Sequence, residues 1–306
     1  MTIDEAVEQA CSEVGILPPK RWSHGKWTKT DTEAGRNGKG DGRIIVNDVC
    51  VTAWNWQTGE RSTVGLRNEL SATERQAVAR DVSRAKAKAE VDARKAASMG
   101  AELILASTLA GHAYLAAKGF PDEKAMIVSA ETVRDIVGPY IVPEGAQQAI
   151  IIPARRGEKV TSAQLIWEDG TKKFLFGGEI SGTSHRIATG ATTWLCEGLA
   201  TGLSVRAALR GLKMQATVLC CFSASNVACV ARQAKGRAYI AADHDKPLPH
   251  PPFNGLGTGE FYAIQAGLPY GMPPAVKSDF NDLHQQASIF AVQRVLTSII
   301  ARRRAA

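Results

Sequence analysis

The sequence predicts an α/β protein: a parallel sheet flanked by helices, preceded by a β-rich basic subdomain, a helical spacer and a small N-terminal β-containing domain. Three observations carry this. From residue 192 onward, strand-like and helix-like runs alternate: "TTWLCEG", "LATGLSVRAALRG", "ATVLCCFS", "SNVACVARQAKG", "RAYIAAD" and, after a Pro-rich loop, "GEFYAIQAG". Such alternation supplies the crossovers that a parallel sheet requires. Before it, residues 149–182 show period-two strands joined by turns such as "EDGT", and residues 71–100 form an Ala-rich helical run.

The elements follow in chain order. Residues 2–14 put Ile3, Val7, Cys11 and Val14 on one helical face, and the pattern stops before "LPPK". From Trp22 to Val64 the texture changes to short segments punctuated by Gly, Asn and Asp, "GRNGKGDGR", "IIVNDVCVTAWNW" and the turn "QTGE", which reads as a small antiparallel sheet. Residues 1–70 thus make a small α+β domain. Ser71 and Glu74 have capping-box spacing at the start of the following helix. Mixed bases and acids along that helix mark an exposed spacer. A second helix, "AELILASTLAGHAYLAAKG", is expected next, with His112 in a core or cap role; the spacer spans 71–118. Residues 119–190 form the β-rich subdomain and display Arg155, Arg156, Lys172 and Lys173. Residues 191–286 hold the parallel sheet. A basic helix, 287–306, ends in Arg302, Arg303 and Arg304, which either complement the helix dipole or dock a partner or DNA.

With 44% hydrophobic and 22% charged residues, the composition is that of a globular protein. The N-terminal "MTIDEAVEQA" carries acids where a secretory leader carries bases, and no apolar run is long enough to span a bilayer; a cytoplasmic protein without a membrane partner is expected. The six cysteines show no C-x-x-C pair and no zinc-finger spacing, so no zinc site is expected and the thiols read as small buried hydrophobes. No G-K-[ST] closes a Gly-rich loop, which argues against a built-in nucleotide-driven motor. The charge is uneven. Residues 151–306 carry 18 Lys and Arg against 10 Asp and Glu, whereas residues 1–150 carry 19 against 20. A basic half of this kind attracts a polyanion such as nucleic acid.

Five of those ten acids, Glu197, Asp243, Asp245, Asp279 and Asp282, fall where chemistry is expected. In a parallel sheet, ligands bind outside the carboxyl ends of the strands. Glu197, Asp243 and Asp245 all stand at that edge. On the strand of "YIAADHD", positions two apart share a face, so Asp243 and Asp245 point together and His244 points away, in a structural role. Two like charges about 4 Å apart cost on the order of 4 kcal/mol at an effective dielectric near 20. A divalent cation removes that cost, and oxygen-only ligands select a hard one, Mg²⁺ or Mn²⁺.

These residues carry a family resemblance. "WLCEGLATGLSV", "YIAADHD" and "SDFNDLHQ", in this order, resemble the acidic signatures of a Toprim (Rossmann-like) domain. "AYLAAKGF" and "IIPARRGEKVTSAQLIWEDGTKKFLFGG" resemble the segment preceding Toprim in plasmid and phage primases, and more distantly in bacterial replicative primases. The resemblance covers roughly residues 110–286. It implies a DNA primase, a nucleotidyltransferase that makes short RNA primers on a single-stranded DNA template from ribonucleoside triphosphates, with Mg²⁺ or Mn²⁺. It places such a protein in phage or plasmid replication beside a separate helicase. It also implies that Asp243 and Asp245 are the principal metal ligands, that Glu197 is a further ligand or the general base, and that Gly198 permits a sharp turn below it. Asp279 would supply the later acid, and Asp282 would either join it or cap the helix beginning near Leu283. Arg155 and Lys173 align with bases that hold template or nucleotide, and Arg156 and Lys172 flank them.

The sequence departs from the replicative primases in two places. Zinc-ribbon cysteines are missing, so residues 22–64 either take over template engagement or do something else; Trp22, Trp27, Trp54 and Trp56 either stack on unpaired bases or fill a small core. The loop "KPLPHPPFNGLGTG" after the Asp pair is either a flap or a passive insertion. Two other functions stay open: a Toprim nuclease, and a catalytically inactive protein that binds single-stranded DNA.

Overall fold

The computed structural model describes residues 1–33, 40–55, 61–66, 72–249 and 252–305. The "QTGE" turn, Trp56, the Ser71 cap and most of the Gly/Lys-rich loop lie outside the described residues, as do the side chains of Glu74, Arg302, Arg303 and Arg304. The chain divides into two compact units, Met1–Lys86 with Lys246–Thr258, and Ala87–Asp245 with Gly259–Ala306.

In the first unit, helix α1 (Ile3–Glu13) opens with a capping box: the Thr2 hydroxyl accepts from the Glu5 N–H, and the Glu5 carboxylate accepts from the Thr2 N–H. Its apolar face, Ala6, Val7, Ala10 and Cys11, is buried. It packs on an antiparallel meander of β1 (Thr28–Thr30), β2 (Gly42–Val46), β3 (Cys50–Asn55) and β4 (Arg61–Gly65), in that spatial order. Alternation sends Ile44, Val46, Val51, Ala53 and Val64 into the core.

Helix α2 (Ala72–Ala106) leads into a five-stranded antiparallel sheet. Here the expected second helix is corrected. The chain leaves α2 at Ser107, whose hydroxyl donates to the Ile104 carbonyl, and forms β5 (Thr108–Ala110) before a short α3 (Ala113–Ala117). The apolar periodicity continues across this break, but pairing of β5 with β6 (Ala125–Ser129) outweighs it. His112 caps α3, its Nδ1 accepting from the Tyr114 N–H at 3.2 Å. After α4 (Ala130–Ile136), the sheet continues through β7 (Gln148–Arg156), β8 (Lys159–Trp167) and β9 (Lys172–Phe174).

The next sheet has the order β10-β12-β11-β13-β14, from β10 (His185–Ala188), β11 (Thr192–Cys196), β12 (Ala216–Cys220), β13 (Ala238–Ala241) and β14 (Tyr270–Gly271). All pairs are parallel except β10 with β12. Trp194, Cys196, Val218, Tyr239 and Ala241 face α5 (Leu199–Gly211), α8 (Phe280–Gln286) and α9 (Ile289–Ala305). Leu195 and Ile240 face α6 (Ala224–Ala231) and α7 (Thr258–Ala266) on the other side. The C-terminal helix is therefore part of this core, with Val292, Leu296 and Ile299 buried in it.

This winding positions the site. The chain goes from β11 over one face to β12, then back over the opposite face to β13. Helices α5 and α7, which follow β11 and β13, thus depart to opposite sides, opening a crevice at the carboxyl ends of two adjacent strands. No helix among the described residues is long and apolar enough to cross a membrane.

Candidate functional site

Glu197 lies immediately after β11 and Asp243 two residues after β13, on the two lips of the crevice. Asp279, brought in as the N-cap of α8, joins them. These three carboxylates line one cavity of about 180 Å³ together with Lys172, Tyr114, Lys118, Gln164 and Thr201. Both residues at the strand ends keep some accessible surface, yet Glu197 Oε1 and Asp243 Oδ1 have none and accept no hydrogen bond. A buried charged oxygen without a partner carries a large desolvation cost.

That cost appears as proton affinity. Burial pushes the Glu197 carboxyl up to about 8, with repulsion from Asp245 and Asp279 adding to it and the Ala224 N–H and Lys172 opposing it. Asp243 is held well above the usual carboxylate range by burial, then by Glu197, Asp279 and Asp245. Asp245 is raised by burial, while the hydrogen bond from Gly259 pulls it back.

The remaining expected acids are placed differently. The period-two argument for Asp243 and Asp245 does not apply, because β13 stops at Ala241 and the chain then bridges to Ser278 through His244. Asp245 turns to accept from the Gly259 N–H at 2.8 Å and does not line the cavity. His244 Nδ1 lies 2.8 Å from the Pro273 carbonyl oxygen. Asp282 closes the capping box of α8, its carboxylate accepting from the Asp279 N–H at 3.1 Å while Asp279 accepts from the Asn281 and Asp282 N–H groups. Helix α8 begins at Phe280 and not near Leu283, so its N-cap is Asp279 and Asp282 is the third residue of the helix.

The four basic candidates separate. On β9, Lys172 pairs with Ile166 and Lys173 with Leu165, residues on opposite faces of β8. Lys172 therefore shares the face of Gln164, fronting the acidic cavity, while Lys173 turns away with its Nζ 3.5 Å from the Tyr140 carbonyl. Arg155 donates to the Glu158 carbonyl at 3.0 Å and lines a separate cavity of about 430 Å³ with Arg186 and His185. Arg156 pairs with Glu179 at 3.2 Å.

Backbone geometry also shapes the crevice. Gly198 has extended φ −114°, ψ 161°, so no sharp turn requires glycine there; a Cβ would instead meet Lys172 Nζ at 3.8 Å. The position that does require glycine is Gly259, where a Cβ would come within 2.3 Å of the Asp243 carbonyl oxygen. Phe222, at φ 74°, holds a left-handed conformation that bulky residues rarely adopt, with its N–H donating to the Glu197 carbonyl at 2.7 Å and its side chain on the cavity wall.

No protein-family model matches the chain. Its fold is distantly similar to the crystal structure of the primase fragment of the bacteriophage T7 primase-helicase protein, with a TM-score of 0.37 and 15% sequence identity over 50% of this chain. The match takes in 64% of that fragment, so the chain spans less than two thirds of its length.

The donor set suits a hard cation. Among the described residues, no group of three or more His, Cys, Asp or Glu side chains is placed to hold a metal ion by itself. Mg²⁺ does not need one: it is held by one or two carboxylates and completes its shell with waters and substrate phosphates. The orphaned oxygens of Glu197 and Asp243, with Asp279 on the same wall, fit that requirement.

Proposed function

We propose that this chain is a Toprim-type DNA primase, making short RNA primers on single-stranded DNA from ribonucleoside triphosphates in phage or plasmid replication, beside a separate helicase. The observation that carries the reading is the pair of buried, unpartnered carboxylate oxygens on Glu197 and Asp243, set at the crevice of a parallel sheet and facing a lysine across one small cavity.

Asp243, with Asp279 and Glu197 beside it, would hold Mg²⁺ or Mn²⁺, and the ion would supply charge neutralisation on the phosphate oxygens during phosphoryl transfer. Asp245 holds the loop end through Gly259 and adds negative charge. Glu197 is a further ligand or the proton acceptor for the attacking 3′ hydroxyl at Oε1; an affinity for protons near neutral pH suits the second task. Lys172 gives the triphosphate a cation within the same cavity. Arg155, with Arg186 in the neighbouring cavity, holds template or nucleotide phosphate, and Arg156 and Lys173 add to the positive field.

The test is incubation of the chain with single-stranded template, ribonucleotides and Mg²⁺ or Mn²⁺. New oligoribonucleotides are expected. A shortened template would turn the reading to a nuclease, and retention of template without any product would turn it to a binding protein. Within a working assay, the two lysines of β9 separate sharply. Lys172→Ala is expected to lower kcat/KM by about tenfold or more, as loss of a charged contact to a phosphate costs, and Lys173→Ala by much less. Equal losses in the two variants would return Lys172 to the role of a surface charge.

A further inference from the structure

The first unit presents a face that the acidic crevice does not use. In the meander, Lys29, Arg43, Trp54 and Arg61 are successive register partners across β1, β2, β3 and β4, and so stand on one face of the sheet. Helix α1 and the core residues Ile44, Val46, Val51 and Ala53 occupy the other face. The only charged residues in the four strands are the three cations Lys29, Arg43 and Arg61.

The aromatic groups are arranged on the same row. Trp27, immediately before β1, is 46% exposed, and its ring centroid lies 6.3 Å from that of Trp54 at an interplanar angle of 60°. The Arg61 guanidinium lies over both rings, 4.9 Å from the Trp54 centroid and 5.9 Å from the Trp27 centroid. Arg43 is buried and donates to the Gly40 and Gly42 carbonyls, fixing the strand end, while Lys26, Lys29 and Arg61 are exposed. Of the acids nearby, Asp31 accepts from the Gly40 N–H, Asp41 lies close enough to Arg43 to support its charge, and Asp48 pairs with His24 at 2.9 Å.

We infer that this face, centred on Trp27, Trp54 and Arg61, is a stacking platform for a single-stranded polynucleotide. The occupant follows from the pairing of two chemistries. An acidic protein surface would satisfy the cations and leave the exposed indole without a purpose. An unpaired strand brings flat bases for the indoles and phosphates for Arg61 and the lysines, and stacking of this kind tolerates any base sequence. A duplex offers its phosphates and hides its base faces. The inference does not depend on the primase reading, since it needs binding and no chemistry.

The test uses the full chain in EDTA, so that the acidic cavity contributes no metal-dependent contact. Fluorescence anisotropy of a labelled oligothymidylate of about 16 nucleotides, close to the upper site size for small single-strand binders, gives Kd against salt. Wild type is expected to bind with quenching of tryptophan fluorescence and to prefer the single strand over a duplex of the same length. Trp27→Ala, at an exposed position, is expected to weaken binding roughly tenfold, and Arg61→Glu more than that with a shallower salt dependence. Trp54→Phe, which keeps an aromatic face, is expected to retain most of the affinity. Because binding is read in EDTA, where no metal-dependent synthesis takes place, failure of this platform stays distinct from failure of the catalytic reading. Unchanged Kd in Trp27→Ala and Arg61→Glu would overturn the inference, and so would equal affinity for duplex or for polyglutamate.

Discussion

Asp243→Asn is expected to lower primer synthesis by on the order of 10²-fold or more, the usual cost of removing one electrostatic contributor from a water-poor site, and at the same time to make the metal-free chain more stable. The two effects share a cause. At pH 8 without a divalent ion, the folded chain has two poor options at this residue. It either keeps a proton on a carboxyl whose unfolded counterpart gave it up four pH units lower, or buries a charge beside Glu197 and Asp279. Asparagine has nearly the same shape and carries neither cost. The gain is a few kcal/mol, the scale of one like-charge contact at an effective dielectric near 20. It is read as a rise in the urea midpoint in EDTA. Asp282→Asn is the control: it disturbs the reciprocal cap of α8, so it should cost about 1 kcal/mol or less while leaving synthesis within a few-fold of wild type. A fall in stability for Asp243→Asn would mean that this carboxylate is structurally satisfied, and the site argument would fail with it.

The reason the crevice was legible in the sequence and parts of its lining were not is physical. Carboxylates after a buried strand are conspicuous because apolar runs rarely end in unpaired acid; "WLCEG" and "AADHD" announce themselves. The parallel pairing of β11, β12 and β13 follows from strands that are apolar on both faces, with Trp194 and Tyr239 on one side and Leu195 and Ile240 on the other. What sequence does not fix is facing at short range. Lys172 and Lys173 are adjacent and identical in type, and only the register of a three-residue strand against β8 decides which one meets the acids. The facing of Asp245 was not legible for a related reason: period two holds while a strand lasts, and β13 ends at Ala241. The break after Ala106 was hidden because an apolar helical pattern continues through it, and only the distant partner β6 makes Thr108–Ala110 a strand. Gly259 and Phe222 carry no local signal at all, since their roles lie in backbone approach to Asp243 and Glu197.

The second large effect concerns pH and metal together. A carboxyl whose folded pKa is raised binds more protons in the native state than in the unfolded state, so stability falls as pH rises between the two values. For Glu197 that window runs from its ordinary 4.5 to about 8, and Asp243, raised by burial and by Glu197, acts in the same direction. Its lower part is masked. Burial, helped by Arg155, depresses His185 to about 4, and burial also lowers His284, so these histidines stabilise the fold increasingly as pH rises toward 6.5. The exposed carboxyls held low by their own hydrogen bonds, Glu5, Glu13 and Asp169, act below pH 4.5. Between pH 6.5 and 8 the buried acids dominate. In EDTA the thermal midpoint is expected to fall across that interval by roughly 4–8 °C, corresponding to about 2 kcal/mol for one group over one and a half pH units. Mg²⁺ at about 100 times its Kd restores close to 3 kcal/mol at pH 8, and less at pH 6.5, where protons compete for the same oxygens. Glu197→Gln flattens the EDTA profile and weakens the Mg²⁺ response. Differential scanning calorimetry at the two pH values, with and without Mg²⁺, decides the matter: a flat profile in EDTA together with no Mg²⁺ response at pH 8 would show that Glu197 and Asp243 are not waiting for a cation.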